Sequence, residues 1–240
     1  MRTAYLLTAV SLCLPAVGAG AGPTDPFLAE LERGDATLAR TDGYTVLYHK
    51  KEQVTPKLLT DDVMRVKFQK PFNIYMEWIN PSGKGGEAIF VEGWNKNRVH
   101  THPGGIWGLF TFNLAPDSHW IMRSNRHDIW SIGLGRLHAI VGENVRRALA
   151  AGALVSVDHG PSTIFGRKSH IVEAQLPADP TLGYYCRRAL VHFDAENGLI
   201  LNIRNYDCAD RLVEEYGYED FRPDVLTAAD FDPANPLYRF

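Results

Sequence analysis

The sequence predicts an α+β fold: a large curved antiparallel sheet with helices packed on its concave face. Roughly ten short runs rich in β-branched and aromatic residues are joined by connections too short for crossover helices, so neighbouring strands run antiparallel. The helical stretches fall at the start and in the middle of the chain instead of alternating with strands. Several strands are apolar on both faces, which calls for cover on both sides or a lined hollow. A twisted sheet of that many strands also tends to curl.

Taken in order, residues 1–22 stand apart. Arg2 precedes an apolar stretch from Ala4 to Val17, and Ala19-Gly20-Ala21 fits the small-x-small pattern of a signal peptidase site. The stretch is shorter than the roughly 18 apolar residues of a membrane anchor. Leu12 sits before Cys13 where lipidation needs a small residue. The expectation is an export signal over 1–21, then a single soluble domain over 22–240 with no membrane-spanning segment.

Residues 25–40 carry Phe27, Leu28, Leu31 and Leu38 among charges behind Asp25-Pro26, a short capped helix. Strands are expected at 44–54, 62–69, 72–79, 87–93, 98–102 and 109–114, punctuated by Asn80-Pro81-Ser82-Gly83, by Trp94-Asn95-Lys96-Asn97 and by Pro103-Gly104-Gly105. A short helix covers 117–125. The strongest amphipathic pattern, Ile132, Leu134, Leu137, Ile140, Val141, Val145 and Leu149, predicts a helix within 128–151 ending at Gly152. Strands resume at 153–158 and 168–176. A hairpin follows, 184–193 with 199–206 about Asp194–Gly198, and then a strand at 212–221. The tail after Val225 predicts one capped turn followed by extended chain. The hairpin brings Cys186 near residues 206–208, so Cys186–Cys208 is a disulfide candidate in an exported protein; two buried free thiols are the other reading.

Composition excludes classes more readily than it names one. The 240 residues hold 25 Lys and Arg against 28 Asp and Glu, a net charge of −3, with 45% hydrophobic residues and three cysteines. That apolar content excludes disorder. The charge, with a pI of about 6.3, argues against a nucleic-acid partner, and the cysteines are too sparse for a disulfide scaffold.

Few motifs carry chemistry. His100 and His102, two apart on a strand, share a face as a metal pair would, but no His-Glu-x-x-His, Cys-x-x-Cys or acidic cluster supplies further ligands. Two polar residues on a solvent face are the plainer reading. His127 and Asp128 beside Trp130 read as a surface imidazole and a cap. Ser82-Gly83-Lys84-Gly85-Gly86 lacks the spacing and context of a phosphate loop, and Gly133-Leu134-Gly135 those of a dinucleotide fingerprint. No catalytic residue, resident metal or cofactor is assigned. The apolar inventory says more. Phe72, Met76 and Trp78 line one face of a strand, Phe90 lies in a strand apolar on both faces, and Phe110 and Phe112 extend the theme. These residues either pack on the 128–151 helix or line a cavity beneath it.

Tyr44-x-x-x-Tyr48-x-Lys50-x-Glu52, Pro71-Phe72-x-x-Tyr75-Met76-x-Trp78 and Lys84-Gly85-x-Glu87-x-x-Phe90-Val91-Glu92-Gly93 together resemble a bacterial family of exported proteins known only as a domain of unknown function. Tyr216-x-Tyr218-x-Asp220 and Leu226-Thr227-x-x-Asp230-Phe231-Asp232 fit it too, so the resemblance spans about 40–240. More distantly the layout is similar to the LolA-like lipoprotein-carrier superfamily. That likeness implies an unclosed β half-barrel with helices as a lid over an apolar cavity that takes acyl chains, lipoproteins or other hydrophobic ligands in the bacterial envelope. It implies no catalytic residue. The chain departs from a carrier in its greater length, its nine histidines and its hairpin cysteines.

The expected function is a soluble periplasmic protein binding a hydrophobic small molecule or acyl chain, as carrier or sensor. The expected walls are Phe72, Met76, Trp78, Phe90, Phe110 and Phe112, with Leu137 and Val141 as lid. The alternatives are a metal-dependent hydrolase using His100 and His102, and an envelope module with a filled core that recognises another protein.

Overall fold

A computed structural model of the chain describes residues 25–240 apart from positions 57 and 82; the expected export segment 1–21, with Cys13, lies outside them. The described residues form one open antiparallel sheet of eleven strands: β1 (Gly43–Thr55), β2 (Leu58–Gln69), β3 (Asn73–Trp78), β4 (Glu87–Val91), β5 (Val99–His102), β6 (Phe112–Leu114), β7 (Val155–Ile164), β8 (Arg167–Gln175), β9 (Arg188–Asp194), β10 (Ile200–Tyr206) and β11 (Leu212–Pro223). The order is β6-β5-β4-β3-β2-β1-β11-β10-β9-β8-β7. Each half is a meander of sequence neighbours, and the halves join where β1 meets β11. The ends of the order, β6 and β7, do not meet, so the sheet is unclosed as expected.

Three α-helices accompany it: α1 (Pro26–Ala39), α2 (His119–Met122) and α3 (Leu134–Ala150). Asp25 caps α1, its Oδ1 accepting from the backbone N–H of Phe27 at 3.0 Å. The helical pattern expected over 128–151 divides in two. Residues Ile129–Ser131 form a 3-10 turn, and Gly133, at φ 108°, breaks the chain before α3 starts. The Tyr44 hydroxyl then accepts from the Leu134 N–H at 2.9 Å, satisfying a helix-start donor that has no intrahelical partner. The strand expected at 109–114 shortens to 112–114, because Gly105–Leu109 wind into a 3-10 turn. β7 runs six residues past its expected end, β8 is shifted by one residue, and the two close on a Phe165-Gly166 turn with both residues at positive φ.

The helices share one face of the sheet. Phe27 and Leu31 of α1, and Leu134, Leu137, Val141 and Val145 of α3, join the core that Val46, Met64, Ile74, Phe90, Val191 and Ile203 build from the strands. Burying each such side chain stabilises by about 1.5–3 kcal/mol. The opposite face is covered over β3 and β4. There Leu226 and Phe231 pack with Tyr75 and Ile89, and Tyr238 stacks on Tyr75 at 4.0 Å. The capped turn expected in the tail is present, Thr227 and Asp230 forming a capping box. This second layer is why β4 reads as apolar on both faces.

Candidate functional site

α3 packs beside α1 on one face of the sheet. The gap beneath it is a cavity of about 200 Å³, lined from above by Leu137, Ile140, Val141, Asn144 and Val145. Two small residues make room below. Ala174 of β8 and Ala189 of β9 are register partners, so two adjacent strand positions under the helix carry only methyl groups. The volume exceeds the roughly 150 Å³ of an engineered apolar cavity that takes benzene. A ring-sized or short acyl group fits.

The other floor of the cavity is the β1–β11 seam. Tyr48 pairs with Tyr218, Lys50 with Tyr216 and Glu52 with Glu214, and all six line the cavity. Glu52 and Glu214 are thus buried carboxylates directly opposite each other, an arrangement that is repulsive by itself. Donors offset it. The Tyr216 hydroxyl lies 2.6 Å from Glu52 Oε1, to which it donates, and 3.1 Å from Glu214 Oε2. Asn205 Nδ2 donates to Glu214 Oε1 at 2.8 Å and the Tyr185 hydroxyl to Oε2 at 2.6 Å.

The tripeptide Asn125-Arg126-His127 completes the cluster. Asn125 Oδ1 accepts from Lys50 Nζ, which also lies 3.2 Å from Asp62. The Arg126 N–H donates to Glu52 Oε2 at 2.8 Å, and its Nε sits 3.3 Å from Glu214. His127 Nε2 is 3.1 Å from Glu214 Oε2 and 2.8 Å from the Tyr185 hydroxyl. Burial works to raise the Glu214 pKa, but the bonds from His127, Tyr185 and Asn205 outweigh it and hold the carboxyl below its usual range. Burial likewise works to lower His127, and the Glu214 carboxylate outweighs it and raises the imidazole pKa. The charges are therefore spent on one another. Cys186 stays a thiol at neutral pH, since burial, seconded by Glu214, pushes its pKa up to about 12. Burial and the nearby Glu52 and Glu214 likewise keep Tyr48 and Tyr216 protonated. The cavity thus combines apolar walls with a hydrogen-bonded polar end, where His127 and Tyr185 are part-exposed.

Leu137 and Val141 line this cavity; the other six expected wall residues do not. Phe72 and Phe90 are buried in the core against Trp130, at ring distances of 5.0 and 4.6 Å. Met76 is buried and Trp78 half-buried in the same core. Phe110 and Phe112 lie on the exposed edge of the sheet. The disulfide expected between Cys186 and Cys208 is corrected: both thiols are free. β10 ends at Tyr206, so Cys208 sits in the turn beyond it, 3.1 Å from the Ala178 carbonyl, while Cys186 lines the cavity near Asn205.

His127 is not the surface imidazole that its neighbours suggested. The polar cluster formed by Lys50, Glu52 and Glu214 was missed, since charged residues in a strand carry no local mark of burial. The available signal was their spacing: they share alternation parity with Tyr48, Tyr216 and Tyr218, hence one face. His100 and His102 are taken up elsewhere. His100 Nδ1 meets Asn113 at 2.9 Å, and His102 is buried 3.6 Å from Glu87, with the Phe240 ring against both. Among the described residues no three His, Cys, Asp or Glu gather as metal ligands. Nor is any helix among them long and apolar enough to cross a membrane.

A sequence profile of the family described as "Protein of unknown function (DUF1571)" matches residues 41–240, in accord with the resemblance noted from the motifs. No curated protein matches the chain in sequence. Among solved structures, MucB, found also in the Pseudomonas aeruginosa MucA/MucB complex, is similar at 13% identity and a TM-score of 0.48 over 85% of this chain. The match covers 60% of MucB. The Mycobacterium tuberculosis lipoprotein LppX is similar at 13% identity and a TM-score of 0.49, over 83% of this chain and 97% of that one. A LolA superfamily protein from Nitrosomonas europaea is similar at 11% identity and 0.39, over 85% and 96%.

Proposed function

This chain belongs to the DUF1571 family, and for it we propose a binding role: it holds a small apolar molecule, or the apolar end of an amphipathic one, between α3 and the sheet. The observation that carries this reading is the cavity over Ala174 and Ala189, walled by Leu137, Val141 and Val145 and closed at one end by the Glu52–Glu214 cluster. Ligand sites combine apolar walls with a few placed polar groups in this way. A polar head at the mouth meets His127, Tyr185 and Asn144, while the tail displaces nothing that needs a hydrogen bond. In this reading the chain acts outside the cytoplasm, in the bacterial envelope; the Arg2-led apolar segment over 1–21 supports that.

Solvent extraction of purified protein followed by mass spectrometry tests the reading, together with titration of the extracted protein with a fluorescent short-chain fatty acid. The expected result is a co-purifying apolar compound and saturable binding of one probe per chain, lost when Val141 is replaced by Trp. Absence of any extracted compound together with no probe binding would sink it.

A further inference from the structure

Five of the twelve large apolar side chains exposed among the described residues fall in one short stretch: Trp94, Leu109, Phe110, Phe112 and Trp120. Leu109 is 88% exposed, Trp120 68% and Phe110 57%. They sit on the β5–β6 end of the sheet and on α2, where β6 pairs only with β5. The charge there departs from that of the whole chain. Between Trp94 and Asn125 the exposed ionised groups are Lys96, Arg98 and Arg123 against Asp117 alone, in a chain of net charge −3. Arg123 lies 5.1 Å over the Trp120 ring, so a cation and an aromatic share one spot. Exposed Leu, Phe and Trp accompanied by Arg and Lys match the two demands of an anionic bilayer surface: apolar groups for the acyl boundary and cations for the headgroups.

We propose that this edge, Leu109, Phe110, Phe112 and Trp120 with Lys96, Arg98 and Arg123, docks the protein peripherally on an anionic phospholipid membrane. The same stretch of chain runs on from α2 to Asn125 and His127, which line the cavity. Docking therefore sets the cavity on an element directly continuous with the one that meets the lipid. The surface stands on its own exposure and charge, so it holds or fails independently of what occupies the cavity.

The test is co-sedimentation of the full chain with phosphatidylcholine vesicles with and without phosphatidylglycerol, beside the variant carrying Leu109→Ser, Phe110→Ser, Phe112→Ser and Trp120→Ser. A second readout is quenching of tryptophan fluorescence by acyl-brominated lipid, compared between the parent and Trp120→Phe. The expected results are partitioning that needs phosphatidylglycerol and weakens with salt, and a drop of about tenfold or more in the quadruple variant at unchanged thermal stability. Part of the quenching should disappear with Trp120→Phe. Equal partitioning of parent and quadruple variant, with no Trp120-dependent quenching, assigns any membrane binding to another part of the chain and overturns the proposal. Partitioning into neither vesicle type also overturns it and leaves the edge to a protein partner.

Discussion

Replacing Ala189 by Leu separates an open cavity from a packed core by the sign of the stability change. Ala189 lies on β9 beside Ala174, with its methyl group facing the space under Leu137 and Val141. Leucine adds three carbons. Burying them in existing space gains about 0.8 kcal/mol per carbon, and fixing the side chain costs about 0.5–1 kcal/mol. The net is a stabilisation of about 1.5 kcal/mol, an upper value because the unfolded chain already buries some surface. For a domain of this size that raises the Tm by about 3–6 °C. In a filled core the same change overpacks and costs about 1–3 kcal/mol. The assay is thermal unfolding of solvent-extracted parent and variant, so that no bound compound stabilises either. The fatty-acid probe is titrated in parallel. The expected outcome is a higher Tm together with lost probe binding. A Tm lowered by several degrees would refute the reasoning, because it would mean that no free volume lies above Ala189.

The remaining predictions concern the network around that cavity and the packing beneath it. His127→Gln removes the imidazolium partner of Glu214. A His with a raised folded pKa stabilises fully below about pH 6.5 and loses that contribution as pH rises through the folded value, whereas the depressed Glu214 contributes above about pH 4.5 and fails as pH falls. The Tm gap between parent and variant should therefore be widest in mildly acidic buffer and shrink toward alkaline pH, and a gap independent of pH would contradict the pairing. Gly198→Ala should destabilise by about 2 kcal/mol or more in denaturant melts, since Gly198 holds φ 74° and a Cβ there would lie 2.6 Å from the Gly34 nitrogen. Unchanged stability would mean that α1 does not seat on the β9–β10 turn. With a maleimide at neutral pH, peptide mapping should find Cys208 labelled well before Cys186, because the former is exposed and the latter is half-buried with its thiol held protonated; equal rates would contradict the placement of Cys186 in the cavity wall.

Most of the strand layout was legible because period-2 alternation and turn residues are local signals. Tyr44 to Val54 alternates and becomes β1, and Asn197-Gly198 marks the turn before β10. Both the capped turn at Thr227 and the helix under Leu137 and Val141 could be read from short windows for the same reason. The cavity walls could not. Phe72, Met76 and Phe90 carry the same apolar signature whether they face a hollow or a packing partner, and what decides is Trp130, which arrives from another part of the chain. The hollow itself is made by alanines, which a search for large apolar residues passes over. Cys186 and Cys208 failed for a related reason. Hairpin arithmetic places backbones opposite one another, but β10 stops two residues short of Cys208, and the turn then carries its side chain toward Ala178.

The sheet order has a kinetic consequence. β1 to β6 and β7 to β11 are each runs of sequence neighbours, while the seam pairs Tyr44 with Pro223 and Glu52 with Glu214 across most of the chain. Contacts of such separation close late, after local hairpins have formed. The polar end of the cavity is divided across that seam, with Lys50 and Glu52 on one half and Glu214 and Tyr216 on the other. Neither half alone holds the polar end of the cavity; it is completed only when the halves pair. A molecule seated there acts as a rivet through the youngest joint in the fold, and amides along β1 and β11 should gain more protection from hydrogen exchange on its binding than those at β6 or β7.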